Sequence, residues 1–130
     1  MPHTWCGSDF IRSARAMFVY EREADDALVV GAGIADEWVN DTAGVEVNHL
    51  PTYYGDLSYT IKSEAAPDGG PGRRIVAKLS GEMALPAGRI VLKSPLSAKI
   101  KSVAGDGRLL SAGADEIRIE KLPATVTILY

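Results

Sequence analysis

Short segments in which apolar and polar residues alternate dominate the chain after residue 26, and they restrict the fold more than any other feature. In LSYTIKS, residues 57–63, and in EIRIE, residues 116–120, every second side chain is apolar. Such alternation gives a strand one buried and one solvated face, which is typical of antiparallel sheets. Turn signals separate the segments at intervals of about 8 to 15 residues. The pattern therefore predicts an all-β fold, an antiparallel β-sandwich.

Eight segments fit this strand pattern, and two loops between them carry turn chemistry. The segments are Ala27–Val30, Gly44–Asn48, Leu57–Ser63, Arg74–Gly81, Arg89–Lys93, Ala98–Ala104, Glu116–Glu120 and Ala124–Leu129. APDGGPG, residues 66–72, predicts a hairpin loop, and Asp106-Gly107 is a favoured pair for a tight turn. We see no internal repeat that would divide the sandwich into smaller units.

The N-terminal segment, residues 1–24, has a helical period instead. Its apolar positions with helical spacing are Phe10, Ile11, Ala14, Met17 and Phe18. Such spacing predicts an amphipathic helix, whose start Ser8 or Asp9 can cap. We therefore expect one N-terminal α-helix in residues 1–24 and the sandwich in residues 25–130. The apolar face of the helix, formed by Phe10, Ile11, Met17 and Phe18, is expected to contact the sandwich or a further domain.

The stretch DALVVGAGIADEW, residues 26–38, raises the question of a nucleotide site, because its apolar run ends in Gly31-Ala32-Gly33. A dinucleotide-binding loop needs a third glycine, a following helix and a parallel strand with an acidic residue. Here Asp36 occupies the third glycine position, and the possible helix at 35–40 is one or two turns long. We therefore predict no nucleotide cofactor and expect the two glycines to let the chain leave a strand and turn.

Composition excludes several function classes. The chain has 130 residues, 46% of them apolar and 24% charged, which is the make-up of one globular domain. A net charge of −3 with interspersed signs leaves no basic face, so nucleic acid is not an expected partner. No apolar segment predicts a membrane partner. A single cysteine, Cys6, allows no internal disulfide bond.

No constellation of residues predicts a reaction centre. The acidic runs at 21–26 and 114–116 resemble solvated connections rather than a pair of carboxyl groups across a sugar-binding cleft. His3 and His49 lie far apart in sequence, and neither belongs to a motif with metal-ligand spacing. We therefore predict no catalytic residue, no metal site and no cofactor within these 130 residues.

Exposed aromatic side chains offer an alternative, carbohydrate binding. Sugar recognition uses aromatic faces beside hydrogen-bonding groups, and the candidate contacts are Trp5, Trp38, Tyr53 and Tyr54. If Tyr53 and Tyr54 are neighbours on one strand, at most one of them faces the core. In the structural alternative these aromatic residues pack under a loop or on the helix, with Ile34 and Trp38 holding a short helical turn to the sandwich edge.

Several segments together resemble a known domain. They are ALVVGAGIADEWVND, GVEVNHLPTYYGDLSYTIK, RIVAKLSGEMALPAGRIVLKSPL, IKSVAGDGRLL and LPATVTILY. The apolar strand at Leu28–Val30, the turn ending in Trp38, the stretch from Thr52 to Tyr59 and the closing strand at Val126–Leu129 are similar to the C-terminal β-sandwich domain of six-hairpin glycoside hydrolases and related glycoside phosphorylases. In that family the sandwich follows an (α/α)6 barrel.

The resemblance implies that this chain is an accessory part of a larger carbohydrate-active enzyme. Residues 1–24 would then include the last helix of the barrel, and the preceding (α/α)6 catalytic domain would be the partner. The catalytic carboxylates of the family belong to the barrel, so the resemblance assigns none to this chain. Hydrolysis and phosphorolysis both stay open, as does export of the parent protein. The alternatives are a module that binds oligosaccharide and a free-standing interaction domain.

Overall fold

The computed structural model describes residues 15–40, 43–65, 73–111 and 113–130. Ten strands in these ranges form two sheets of five strands, and antiparallel pairs dominate both. The predicted all-β sandwich is therefore confirmed. A short helix, α1 (Asp36–Asn40), connects the two sheets after the second strand.

Sheet A has the strand order β1-β2-β6-β9-β8, and sheet B has the order β3-β4-β5-β10-β7. The strands of sheet A are β1 (Val19–Arg22), β2 (Ala27–Val30), β6 (Ile90–Lys93), β8 (Gly107–Leu109) and β9 (Glu116–Ile119). Those of sheet B are β3 (Val45–Thr52), β4 (Gly55–Ala65), β5 (Arg73–Ser80), β7 (Ser102–Gly105) and β10 (Ala124–Leu129). The chain crosses between the sheets repeatedly, so neither sheet is built from one continuous run of sequence.

The core lies between the two sheets and follows from the alternation in the sequence. In β10, Ala124, Val126 and Ile128 are buried, whereas Thr125 and Leu129 are exposed. The same alternation places the apolar side chains of β4, β5 and β9 in one continuous cluster with those of β2 and β6. This burial is the main source of stability, because apolar area removed from water contributes about 25 cal/mol per Å².

One strand pair differs from the predicted antiparallel arrangement. Strands β2 and β6 run parallel, with Val29 opposite Val91. All four residues of β2 are buried, as expected for a strand that is covered on both faces. The continuous apolar run in β2 is consistent with this position in the interior of sheet A.

The structure corrects the extent of the N-terminal helix. Residues 15–18 are helical, but Val19–Arg22 form strand β1, which pairs with β2 in an antiparallel register. The sandwich therefore begins before residue 25. Val19 is fully buried between the sheets, and this tertiary contact outweighs the helical spacing of the segment. Trp5, Phe10 and Ile11 lie outside the described residues.

Asp106-Gly107 also has a different role from the predicted tight turn. It carries the chain from β7 in sheet B to β8 in sheet A, so the two flanking strands are not hairpin partners. The Asp106 N–H donates to the Thr125 carbonyl over 2.9 Å, and the Thr125 N–H donates to Asp106 Oδ2 over 2.9 Å. The predicted strand Ala98–Ala104 is correspondingly shorter, because β7 begins at Ser102. The predicted hairpin loop at 66–72 lies outside the described residues, although β4 and β5 on either side of it are antiparallel neighbours.

Candidate functional site

The glycine loop after β2 is used for packing rather than for phosphate. Gly31 has a φ of 76° and donates its N–H to the Phe18 carbonyl over 2.9 Å. The Gly33 N–H donates to the Met17 carbonyl over 3.0 Å, and a Cβ on Gly33 would lie 2.8 Å from the Met17 side chain. The glycines therefore allow the chain before β1 to approach the loop closely. A dinucleotide-binding loop would direct the N–H groups of Gly31 and Gly33 at a phosphate. Here both N–H groups already donate to protein carbonyl groups.

Beside this loop, a cleft of about 420 Å³ opens near the carboxyl ends of the parallel strands β2 and β6. In doubly wound folds this position is the usual ligand crevice. Here Asp36 and Asp115 line the cleft, and the Asp36 carboxylate accepts hydrogen bonds from the N–H and the hydroxyl of Ser97 at 3.3 and 3.2 Å. Lys99 also lines the cleft and Lys93 contacts Asp115 over 3.7 Å, so the cleft carries charges of both signs, and the absence of a nucleotide stays a prediction.

The aromatic edge, which we define as Met17, Phe18 and Trp38, lies where residues 15–18 enter the sandwich. The rings of Phe18 and Trp38 stack with centroids 6.3 Å apart and an interplanar angle of 15°. Phe18 is half-buried against the core, whereas Trp38 remains 41% exposed. In α1 it is Val39 that is fully buried, so Trp38 lies on the neighbouring, outward side of the helix. The structure thus places Trp38 beside one of the predicted inter-domain contact residues, Phe18, and Met17 lies next to Phe18 in the chain against Gly33.

The two adjacent tyrosines form the tight turn between β3 and β4. Thr52 and Gly55 are paired across the turn, so Tyr53 and Tyr54 are its two central residues rather than strand neighbours. Tyr53 is 83% exposed, whereas Tyr54 is half-buried against the core. The Thr52 hydroxyl donates to the Gly55 carbonyl over 2.7 Å and accepts the Tyr54 N–H over 3.1 Å. This turn chemistry presents Tyr53 to solvent and turns Tyr54 inward.

An ion pair between Arg15 and Glu21 connects this turn to the segment that leads into β1. Arg15 donates to both carboxylate oxygens of Glu21, at 2.8 and 3.2 Å, and also to the Pro51 carbonyl at 2.8 Å. Glu21 Oε1 additionally accepts the Tyr53 N–H at 3.2 Å. Partial burial alone would raise the pKa of Glu21, but these hydrogen bonds outweigh it and lower the pKa from its ordinary value. The pair joins β1 of sheet A to the β3–β4 turn of sheet B.

A cleft of about 650 Å³ lies beside this ion pair. Arg15, Ala16, Tyr20, Pro51, Thr52 and Tyr53 line it. Tyr20 was not among the sequence-predicted sugar contacts, because its position in the expected helix hid its place next to the β3–β4 turn. Trp38 and Tyr54 do not line this cleft. The structure therefore brings Tyr53 together with Tyr20 and separates it from the aromatic edge.

The outer face of sheet A carries a network of ion pairs. Arg22 of β1 contacts both Asp25 and Glu116, at 2.7 and 2.9 Å, and Lys93 contacts Glu116 at 2.7 Å. Arg22 reaches Glu116 although β2 and β6 lie between their strands. Its side chain thus crosses the outward-facing apolar residues of these two strands, Ala27, Val29 and Val91, which are buried. Tyr20 of β1 also packs against these three buried residues.

These contacts set the titration of Glu116. Hydrogen bonds from Arg22 and then from Lys93 lower the pKa of Glu116 below its ordinary value of 4.5, against the opposing effect of burial. The hydrogen bond to Glu116 likewise raises the pKa of Lys93. The ionised carboxylate therefore stabilises the folded state above pH 4.5, and this contribution is lost as the pH falls through the lowered folded-state value.

Replacing Glu116 with glutamine is expected to lower the free energy of unfolding at pH 7 by about 1–2 kcal/mol, because two charge-assisted hydrogen bonds lose their anionic acceptor. As the pH is lowered from 7 toward ~3, the difference from the wild type should shrink, because the wild-type carboxyl group loses the stabilisation of its ionised form as it takes up a proton. Urea unfolding at both pH values measures it. Glu64→Gln, which breaks an exposed ion pair with Arg74, should cost less than about 0.5 kcal/mol. An equal loss for Glu116→Gln at both pH values would contradict this account.

The described residues contain neither a cluster suited to a metal ion nor a membrane-spanning helix. Among the described residues, no three His, Cys, Asp or Glu side chains lie close enough together to hold a metal ion. No helix in the described ranges has the length and apolar character required to cross a membrane.

Comparison with protein-family models finds no match, and comparisons with curated proteins and with solved structures find none either. The resemblance to the C-terminal domain of six-hairpin enzymes therefore stays a prediction.

Proposed function

We propose that the chain is a non-catalytic accessory domain that docks, through its aromatic edge, against a neighbouring domain of a carbohydrate-active enzyme. The observation that carries this proposal is the exposed face of Trp38, which is stacked on half-buried Phe18 at the point where the chain enters the sandwich. Large aromatic side chains supply much of the binding energy at protein interfaces. The sequence resemblance supplies the class of neighbour, a helical barrel that precedes residue 1.

The surroundings of Trp38 fit a docking role. Met17 and Phe18 are fixed by the hydrogen bonds of their carbonyl groups to Gly33 and Gly31, so the surface is ordered before a partner arrives. The Phe18 carbonyl also accepts a hydrogen bond from the buried Tyr59 hydroxyl over 2.9 Å. A preformed aromatic surface loses little conformational entropy on association, which favours affinity.

The coding sequence upstream of Met1 tests the first part of the proposal. We expect it to encode a domain of repeated amphipathic helices with glycosidase or phosphorylase activity. When that domain and this chain are produced separately and mixed, they should associate, and the fluorescence of Trp38 should shift to shorter wavelength. A Trp5→Phe background leaves Trp38 as the single tryptophan of this chain, and the separate domain measured alone supplies the fluorescence to be subtracted. A reading frame that starts at Met1 would contradict the proposal.

The change Trp38→Ala should weaken this association at least about tenfold, since a buried aromatic anchor at an interface is worth more than about 1.4 kcal/mol. The matched control is Tyr53→Ala, which removes a more exposed aromatic side chain outside the aromatic edge and should leave the affinity unchanged. Circular dichroism confirms that both variants fold. Equal affinities for the wild type and Trp38→Ala would remove the aromatic edge as the docking surface.

A second candidate function is carbohydrate binding at the cleft beside Tyr53. The exposed ring of Tyr53, with Tyr20 in the same cleft and the guanidinium of Arg15 fixed between β1 and the β3–β4 turn, combines aromatic and hydrogen-bonding groups. This combination supports oligosaccharide contact at Tyr53. Trp38 and Tyr54 do not line this cleft, so they do not contribute to that surface.

A further inference from the structure

A groove crosses the outer face of sheet B, on four adjacent strands. It consists of two adjoining clefts of about 680 and 370 Å³, which share Ser58, Ser80 and Pro123. We call it the hydroxyl groove and define it by Asn48, Ser58, Thr60, Lys78, Ser80 and Thr125. None of these residues belongs to the aromatic edge or to the cleft beside Tyr53.

The strand register brings the polar side chains of the groove into two rows. Ser58 of β4 is paired with Ser80 of β5. In the next row, Lys78 of β5 lies between Thr60 of β4 and Thr125 of β10. Because residues two apart on a strand share a face, these side chains all stand on the solvent side of the sheet. The result is a surface of hydroxyl groups at fixed spacing.

The outer faces of the two sheets carry different polar side chains, ion pairs on sheet A and mainly hydroxyl groups on sheet B. On sheet A, Arg22 and Lys93 both form ion pairs with Glu116, so these charged groups have partners within the protein. In the hydroxyl groove the side chains are mainly hydroxyls, and a hydroxyl that accepts one hydrogen bond can still donate its own proton. Ser58 shows this, because its Oγ accepts the His49 N–H over 2.9 Å. The two faces of the sandwich thus differ in their capacity to bind a polar ligand.

A β-bulge directs His49 into the same groove. The β3–β4 register shifts between Val47 and Leu50, and His49 has a φ of 52°, a left-handed conformation that residues other than glycine rarely adopt. Bulges re-aim side chains and occur often beside binding sites. The exposed imidazole lines the larger cleft, and a neutral imidazole offers one donor and one acceptor.

The strands that form the groove limit what it can bind. β4, β5 and β10 each have a neighbour on both sides, so their backbone groups are used within the sheet. A peptide cannot add as an extra strand at β4, β5 or β10, and strand addition is how extended peptides gain most of their affinity; of the four groove strands only β3 lies at the edge of the sheet. Asp56 and Glu82 also line the larger cleft, and their charge disfavours an anionic ligand despite Lys78. A neutral ligand rich in hydrogen-bonding groups therefore fits the groove better than an anion does.

We propose that the hydroxyl groove binds a neutral oligosaccharide that lies across the strands, with Ser58, Ser80 and His49 as its hydrogen-bonding positions. This goes beyond the docking function, because it uses the opposite face of sheet B from the core and none of the aromatic edge. It also differs from the second candidate function in its site. The interior strands β4 and β5 hold Ser58 and Ser80 more precisely than a loop would.

Titration of the isotope-labelled chain with cellohexaose, xylohexaose and maltohexaose, followed through the backbone amide resonances, tests the proposal. At least one sugar is expected to give saturable shifts at Ser58, Lys78 and Ser80, together with the His49 imidazole. Inorganic phosphate and a hexaglycine peptide should give none there. Absence of such shifts with all three sugars, or shifts confined to Tyr53 and Tyr20, would overturn the proposal, as would equal responses to phosphate or peptide.

Two arginine variants distinguish the groove from the rest of the sheet. Ser80→Arg should weaken sugar binding at least about tenfold by filling the groove. Ser102→Arg, an exposed serine of β7 outside the groove, is the matched control and should bind as the wild type does. Ser58→Ala, which removes one hydrogen-bonding group, should weaken binding about threefold. Equal binding by the two arginine variants would overturn the proposal, and neither variant should alter the docking measured through Trp38.

Discussion

Replacing Gly105 with alanine is expected to destabilise the fold by about 3 kcal/mol and to lower Tm by roughly 10 °C. Gly105 ends β7 with a φ of 87°, which a side chain disfavours. A Cβ there would also overlap the Thr125 carbonyl oxygen. That oxygen accepts the Asp106 N–H, so alanine must push β10 away and strain the point where the chain changes sheets. Thermal unfolding followed by circular dichroism measures the loss.

Gly113 provides the matched control for this change. Its φ of 78° is close to that of Gly105, but no heavy atom of the described residues lies within 4 Å of the position a Cβ would take. Gly113→Ala should therefore cost only the backbone term, about 1 kcal/mol. Similar losses for the two variants would show that the approach of Thr125 contributes nothing and that the φ angle alone requires glycine.

Replacing Leu57 with alanine is expected to lower the free energy of unfolding by about 3 kcal/mol, within the range of 2–5 kcal/mol found for buried leucines. Leu57 lies on β4, is fully buried and belongs to the cluster between the two sheets. The loss combines the removed apolar surface with the cavity that close-packed neighbours cannot fill. Urea unfolding, with an unchanged dependence on denaturant concentration, measures it.

Leu110 is the control for Leu57, because it is 45% exposed just after β8. Leu110→Ala should change stability by less than about 0.5 kcal/mol, as surface substitutions usually do. A loss for Leu57→Ala in that same small range would mean that the region between the sheets is not packed as a single core.

The sequence predicts much of the sandwich because alternation and turn residues are local signals. The bounds of β2 and β10 agree with the predicted segments, since β2 ends before Gly31 and β10 begins after Pro123. Strand β1 was missed for the opposite reason. The helical spacing of Met17 and Phe18 extends up to the residue before β1, and only the pairing with β2, which is a tertiary contact, makes Val19–Arg22 extended.

Pairing partners are the information that local patterns lack. Asp106-Gly107 has the composition of a hairpin turn, but β7 and β8 find partners in different sheets. The parallel alignment of β2 with β6 likewise depends on segments far apart in the chain. Turn chemistry predicts where a strand ends, and the core determines which strand lies next to it.

The candidate sites divide in the same way. The sequence identifies the candidate aromatic residues Trp38, Tyr53 and Tyr54, but it does not predict their neighbours. Tyr20 lines the same cleft as Tyr53, and Phe18 stacks on Trp38, only because the fold brings distant segments together. The hydroxyl groove was missed entirely. Its serines and threonines are the solvent-facing half of ordinary alternation, and the position of the bulge at His49 is visible only in the β3–β4 register, although Pro51 lies close to it.

The parallel pair has a consequence for how the molecule assembles. Most of sheet B can form early, since β3, β4 and β5 are successive hairpin neighbours with short separations along the chain. Sheet A must bring Val30 beside Leu92, which requires closing a long loop before any contact repays the lost chain entropy. Until β6 pairs with it, the fully apolar β2 has only β1 as a neighbour. A ribosome-bound or partly denatured chain therefore exposes the apolar surface of β2, the segment most prone to aggregate, for the longest time.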